Sequence, residues 1–228
     1  MKILAIGAHP DDIEIFMYGL LCIFKKKKYS INLIVSTDGS LGGTKFENLS
    51  QIRKEETIKA LKYLAVPEFL DLPDSKLGYN QSHREILREK IDEIYPDLII
   101  THYYKDYHSD HRVLSRLVTD ISGHKFPILY CETMMGINFN PNFYFDISEF
   151  FLEKKKAIMN HNSQNPSRFV ELAHLMNSYR SAQCNAKIGS YAEAYYFRSS
   201  FPFTNINKIL PNNIEIKKFD IDESYGFL

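Results

Sequence analysis

The chain lacks a surplus of charge of either sign, has little cysteine, and contains no long apolar run. Its 228 residues carry 28 Lys plus Arg against 28 Asp plus Glu, so the global basic footprint that nucleic-acid binding requires is missing. The Lys25–Lys28 run reads as the solvated, dipole-favoured last turn of a helix rather than a polyanion patch. Cys22, Cys131 and Cys184 stand far apart with no Cys-x-x-Cys spacing, which favours buried thiols over disulfides or a thiolate metal site and makes a reducing cytoplasm the simplest compartment. Nowhere do 18 apolar residues run together, and the first residues form a strand pattern rather than a charged region followed by an apolar segment. Neither a spanning helix nor a secretion signal is expected, and no membrane partner.

Several catalytic signatures are missing too. A dinucleotide fingerprint needs Gly-x-Gly-x-x-Gly after the first strand, but the chain reads Gly7-Ala8-His9-Pro10-Asp11-Asp12, with bulky and negative groups where a pyrophosphate would lie. The glycine-rich stretch Thr37-Asp38-Gly39-Ser40-Leu41-Gly42-Gly43 has no lysine at the spacing a phosphate-binding loop requires. No Gly-x-Ser-x-Gly elbow occurs, and no serine or cysteine is paired with a histidine in a recognised arrangement.

What is present is an apolar run, Ile3–Ile6, that delivers His9-Pro10-Asp11-Asp12 in front of a helical pattern. Loops leaving the carboxyl ends of parallel strands are where open α/β sheets bind ligands. His9 and Asp12, separated by two residues, can grip one ion, and imidazole plus carboxylate suits zinc or another first-row divalent metal. Two aspartates after a strand are equally an ordinary helix N-terminus. A second cluster, Asp106-Tyr107-His108-Ser109-Asp110-His111, follows the apolar run Leu98–Thr101. A catalytic zinc site takes three protein ligands and keeps one position open, so His9, Asp12 and His111 complete a set of two histidines and a carboxylate, leaving His108 spare for catalysis.

Apolar runs alternate with longer amphipathic patterns. Strands are expected at 2–7, 31–36, 68–72, 98–102 and 127–131, with helices at about 12–27, 50–64, 81–95 and 111–122 between and after them. Helices at about 148–161 and 168–186 follow, with 192–197 returning as a strand. The alternation predicts an α/β fold, a Rossmann-like, doubly wound, mainly parallel sheet with helices on both faces. At 44% hydrophobic residues the 228-residue chain can bury one core as a single domain. The tail around Pro211-Asn212-Asn213 reads as a peripheral extension.

The two motifs, Ala8-His9-Pro10-Asp11-Asp12 and His108-Ser109-Asp110-His111, resemble those of the PIG-L/LmbE-like zinc-dependent N-deacetylases, which remove acetyl groups from N-acetylglucosamine-type sugars. Thr37-Asp38-Gly39, Arg53-x-x-Glu56, Asp146-Ile147-Ser148, Lys155–Ile158, Ser163-Gln164 and Ala192–Tyr195 are similar to the family pattern in the same order, over roughly residues 1–200. The resemblance implies Asp11 as general base, taking the proton of a water that the metal brings from a pKa of 15.7 to about 7. It leaves a protonated His108 to stabilise the oxyanion of the tetrahedral intermediate. Asp110 and Asp106 are expected behind the imidazoles, fixing tautomer and charge, with their pairing open; each is also a plausible turn or helix-cap aspartate.

Arg53 is placed like a family residue that reaches the sugar or its anionic substituent, against an exposed helix arginine paired with Glu56 or Thr57. Asp38 and Ser40 can hydrogen-bond sugar hydroxyls, although the family often has an acidic residue where Ser40 stands. Tyr191 and Glu193 are candidates to close the pocket, against a simply packed tyrosine. Tyr103, Tyr104 and Tyr107 are candidates for a platform under a sugar ring, although with 15 Tyr and 16 Phe ordinary packing is the default. His83, His102, His124, His161 and His174 are read as structural or surface residues.

The expected partner is a small N-acetylated sugar conjugate, and a homo-oligomer is compatible with this reading. The leaving sugar can carry a nucleotide, an inositol, a malate or an antibiotic aglycone. A metal-dependent amidase of non-sugar amides and an idle binding protein of the same fold are the competing readings.

Overall fold

The chain was analysed as a computed structural model, which describes residues 1–43, 45–208, 210 and 214–217. Seven strands form one sheet: β1 (Lys2–Gly7), β2 (Ser30–Thr37), β3 (Glu68–Leu72), β4 (Leu98–His102), β5 (Ile128–Cys131), β6 (Phe143–Asp146) and β7 (Ala192–Phe197). Their order is β3-β2-β1-β4-β5-β7-β6. The first five run parallel, while β7 pairs antiparallel with both β5 and β6. The strand order reverses at β1, which lies between β2 and β4. That switch point is where the loops after β1 and β4 diverge and leave a crevice.

The helices are α1 (Asp12–Phe16), α2 (Tyr18–Lys26), α3 (Leu49–Leu61), α4 (Gln81–Ile94), α5 (Ser109–Ser122), α6 (Phe151–Ile158) and α7 (Pro166–Gln183). Period-two alternation along β1 assigns its side chains to two cores. Ile3 and Ala5 join a cluster with residues of α2, α6 and α7, such as Leu20, Phe24, Ile158 and Met176. Leu4 and Ile6 pack on the other face with Leu87 and Ile91 of α4 and Leu114 and Val118 of α5.

Two expectations are corrected. The first helix is broken at Met17, whose φ of −130° lies outside the helical range, so α1 is a single short turn that presents Asp12 to the crevice. The edge strand β6 was not expected. The stretch before α6 begins as a 3-10 turn at Ser148–Phe150. Of the C-terminal extension, residues 214–217 lie beside β6, where Ile216 bridges Phe145 and Lys217 pairs with Asp146 at 2.5 Å; Pro211–Asn213 and 218–228 lie outside the described residues. Among the described residues no helix is long and apolar enough to cross a membrane.

Candidate metal centre and active site

The loop after β1 turns sharply at Asp11, whose φ is 136° and ψ −20°. This turn directs His9 and Asp12 toward the loop after β4. His9 Nδ1 lies 3.2 Å from His111 Nε2 and 3.4 Å from Asp12 Oδ2, and His111 Nε2 lies 3.3 Å from Asp12 Oδ1. A tetrahedral ion with bonds of about 2.0–2.1 Å has ligand–ligand edges of about 3.3–3.4 Å. The two Asp12 edges run to different oxygens of its carboxylate, and among the described residues the groups close enough to share one ion are His9, His108 and His111; Asp12, His102 and His111; and His9, Asp74 and Asp110. His9, Asp12 and His111 are all buried.

The surrounding charge fits a cation as well. Burial pulls the His9 imidazole down, but hydrogen bonds to Asp110, Asp12 and Asp74 outweigh it and lift its pKa to about 12. Burial likewise opposes protonation of His111, yet Asp12 and Asp106 lift it to about 9. Asp12 is buried, but His111 and His102 hold it well below the usual carboxylate range. The carboxylates favour positive charge among these imidazoles, which a divalent ion could supply in place of protons.

The pairing that the sequence left open is resolved here. Asp106 Oδ2 lies 3.0 Å from His111 Nδ1, and Asp106 Oδ1 accepts the His108 N–H at 2.9 Å. It is thus both a turn aspartate and the partner that orients His111. Asp110 Oδ2 lies 3.3 Å from His9 Nε2 and accepts the Ser75 N–H at 2.8 Å. Neither carboxylate bonds the His108 ring, whose Nδ1 instead accepts the Asp110 N–H at 3.3 Å and so caps α5. Burial, together with the charges of His111 and His9, lowers the His108 pKa. That shift runs against the protonated form expected from the sequence.

The cleft over these groups is lined by His9, Asp11, Asp12, Arg53, Asp74, Ser75, His108 and His111, with Ile15, Phe16, Leu41, Tyr107, Met134 and Phe169 as apolar walls. Asp11 is 8% exposed, and its pKa is raised by burial against the pull of Arg53. Arg53 is not the exposed helix arginine of the alternative reading, and it lines the cleft. It is 3% exposed and bonds Asp11 Oδ2 at 3.1 Å.

Other expected contacts move away from the cleft. Asp38 Oδ1 is spent on the Ser40 and Asp74 N–H groups at 2.9 and 3.3 Å, and Ser40 stands exposed at the loop tip. Tyr191 stacks on Phe151 at 3.6 Å between ring centres. Glu193 is buried behind α2, where it accepts the Gly19 and Leu20 N–H groups at 2.8 and 2.9 Å and pairs with Lys154 at 2.8 Å. Neither of these two closes the pocket. Of the tyrosine trio only Tyr107 lines the cleft, while Tyr103 is packed at 4% exposure.

Two residues were missed. Asp74, just past β3, lies 3.4 Å from His9 Nε2 and accepts the Leu41 N–H at 2.9 Å; its pKa falls to about 2 because the bonds from His9 and Leu41 overcome burial. His102, the last residue of β4, stacks on His111 at 3.7 Å and lies 3.1 Å from Asp12 Oδ2. Their signal was position alone, since both sit at carboxyl ends of parallel strands.

A comparison with known families matches residues 4–122 to the family model PIG-L, GlcNAc-PI de-N-acetylase. The probable N-acetyl-alpha-D-glucosaminyl L-malate deacetylase 2 of Bacillus subtilis is 32% identical over 121 residues, covering 48% of this chain but only 55% of that protein. The diacetylchitobiose deacetylase of Thermococcus kodakarensis is 27% identical over 194 residues, covering 75% of this chain and 73% of its own length. Among solved structures, GalB, the 4-carboxy-2-hydroxymuconate hydratase of Pseudomonas putida, superposes with a TM-score of 0.75 at 19% identity, covering 86% of this chain and 95% of its own. That likeness shows a shared fold, and a fold hosts more than one reaction.

Proposed function

The chain belongs to the PIG-L family, and from that membership and the geometry of the cleft we propose that it is a metal-dependent hydrolase removing acetyl from an N-acetylglucosamine-type sugar conjugate. The observation that carries this reading is the clustering of His9, Asp12 and His111, whose nitrogens and carboxylate oxygens approach one another at 3.2–3.4 Å, beside a buried carboxylate, Asp11. Two imidazoles and a carboxylate suit zinc, which we take as the metal, with another first-row divalent ion as the alternative. Bound there, such an ion would act as a Lewis acid on the amide carbonyl and make water a nucleophile near neutral pH.

The protein's own part follows from the donors around that point. Asp11, its pKa raised by burial, takes the water proton and later delivers it to the leaving nitrogen, so that acetate and a free amine depart. His108, whose Nδ1 accepts the Asp110 N–H, would offer its Nε2–H to the developing oxyanion, a contact stronger for the charged intermediate than for the ground-state carbonyl. Asp74, held ionised by its bonds to His9 and Leu41, offers acceptor capacity to sugar hydroxyls in the cleft it lines.

The apolar wall of Ile15, Phe16, Met134 and Phe169 keeps a second reading open, an amidase of non-sugar N-acyl compounds. Acetate release from a panel of N-acetylhexosamine conjugates and simple N-acyl amines by zinc-loaded protein separates the two. Release that depends on the sugar supports the first reading, and acyl preference without sugar dependence supports the second. Three buried, free cysteines support placing the protein in the reducing cytoplasm.

A further inference from the structure

We propose that the loop after α6 is a strut that sets the orientation of α1, with His161 as the positioning residue for the two aspartates at the head of that helix. The inference rests on the reading of Asp12 as a metal ligand and Asp11 as general base. α1 spans only Asp12–Phe16, and both flanks leave the helical range, Asp11 at φ 136° and Met17 at φ −130°. No side chain caps its N-terminus. A single helical turn does not hold itself together, because nucleation fixes several residues for one hydrogen bond. What aims Asp11 and Asp12 into the cleft is therefore a set of ties to the rest of the protein.

Glu14 carries such a tie. It is fully buried in the middle of α1, and its Oε1 lies 2.8 Å from Nε2 of His161, itself buried. Burial opposes a charged imidazole, but Glu14 outweighs it and raises the His161 pKa, so the bond is charge-assisted and directional. Glu14 Oε2 and His161 Nδ1 have no other partner among the described protein atoms. Two ionisable groups sealed in with such capacity unused cost stability, and a well-packed apolar pair would serve the core at least as well. The pair makes sense as a device that fixes a position.

The same loop grips a second element. Ser163, two residues on, donates its N–H and its hydroxyl to Glu56 at 2.9 and 2.6 Å, and Glu56 stands on α3 one turn after Arg53. Arg53 in turn donates to Pro10 O at 2.7 Å and to Asp11 Oδ2 at 3.1 Å. These ties close a ring from α1 through Glu14, His161 and Ser163 to Glu56, then along α3 to Arg53 and back to Asp11. Bonds within the loop stiffen the span, the His161 N–H donating to Ile158 O at 3.1 Å and the Gln164 N–H to His161 O at 2.9 Å. His161 and Ser163 do not line the cleft, so they act through Glu14 and Glu56 rather than on the substrate.

The test compares wild type, Glu14→Gln, Ser163→Ala and the double variant Glu14→Met/His161→Phe by urea stability, zinc affinity in a chelator competition, and steady-state kinetics with N,N'-diacetylchitobiose as probe. The double variant keeps the volume of the pair and removes the bond, so its stability should equal or exceed wild type. Its zinc affinity should nevertheless fall by about 10-fold and its kcat by about 10-fold, at a KM within about threefold, the scale of changes behind a metal ligand. Glu14→Gln retains an acceptor for His161 Nε2–H and should stay within about threefold of wild type in both readouts. Ser163→Ala cuts the other end of the strut at a half-buried site and should lower zinc affinity and kcat by about threefold, whether or not the double variant folds. Wild-type zinc affinity and kcat in a stable double variant would make the pair merely structural and overturn the proposal, as would wild-type values in Ser163→Ala. Wild-type silence on the probe counts against the deacetylase reading alone, and the zinc affinities still decide the role of the strut.

Discussion

Asp11 and Asp12 are neighbours with opposite electrostatics. Asp12 faces His111 and His102 and is held well below the ordinary carboxylate range, whereas burial raises Asp11. Under the proposed function the first would be the ligand that stays ionised, and the raised proton affinity of the second suits a general base. Asp11→Asn should therefore keep its metal and lose turnover by about 10²–10⁴-fold, the usual scale of general base catalysis; acetate release and metal content measured on one preparation check this. The same separation applies to the histidines. His111→Ala should lose the metal, and His108→Ala should retain it while losing activity. Asp106→Ala, which strips His111 of its partner at 3.0 Å, should weaken metal binding by about 10–100-fold in a chelator competition. The clustering of His9, Asp12, His108 and His111 was legible in the sequence because His-x-x-Asp and the later histidines stand right after apolar runs. Asp74 and His102 were not, because a lone aspartate after Pro73 and a histidine ending a strand carry no spacing to distinguish them from turn and core residues.

At the scale of elements, alternating apolar runs and amphipathic stretches are a strong signal, and the five parallel strands were readable from it within a residue or two. β6 was hidden because Phe143–Asp146 is four residues long and its partner β7 lies some fifty residues on, so its pairing is non-local. The break at Met17 was hidden because 12–26 is apolar almost throughout, which conceals the point where the helical phase restarts. Glu193 shows the cost of reading an element's chemistry from its residue type. It is 2% exposed and stands at the N-terminus of α2, where two free N–H groups and Lys154 take up its charge. Glu193→Ala leaves Lys154 buried and unpaired, so stability in urea should fall by about 3–5 kcal/mol, with the metal affinity of the folded fraction unchanged. A loss of metal binding at full stability would instead return Glu193 to the cleft.

Across the whole molecule, the cleft joins loops from β1, β2, β3, β4 and β5, so whatever neutralises its charge also ties one end of the sheet together. In the metal-free protein that neutralisation falls to protons. His111 is raised from 6.5 to about 9 and His9 to about 12. A group raised on folding contributes stability that is full below its unfolded pKa and lost as pH rises through its folded one. The metal-free protein should accordingly lose stability between about pH 6.5 and 9 as His111 releases its proton. The metal-loaded protein has the opposite sign for these two groups, because ligation requires neutral imidazoles and binding expels their protons. Both are raised without metal, so binding at pH 7 should release protons, and the apparent affinity should rise with pH. Ligand binding raises stability by about 2.7 kcal/mol at a hundredfold excess over Kd, so the gain in Tm on adding a fixed concentration of zinc should be larger at pH 8 than at pH 6. Calorimetric titration in buffers of different ionisation enthalpy counts the protons directly. Near-zero release, with a Tm gain independent of pH, would mean that His9 and His111 are not the residues that give up protons to the ion.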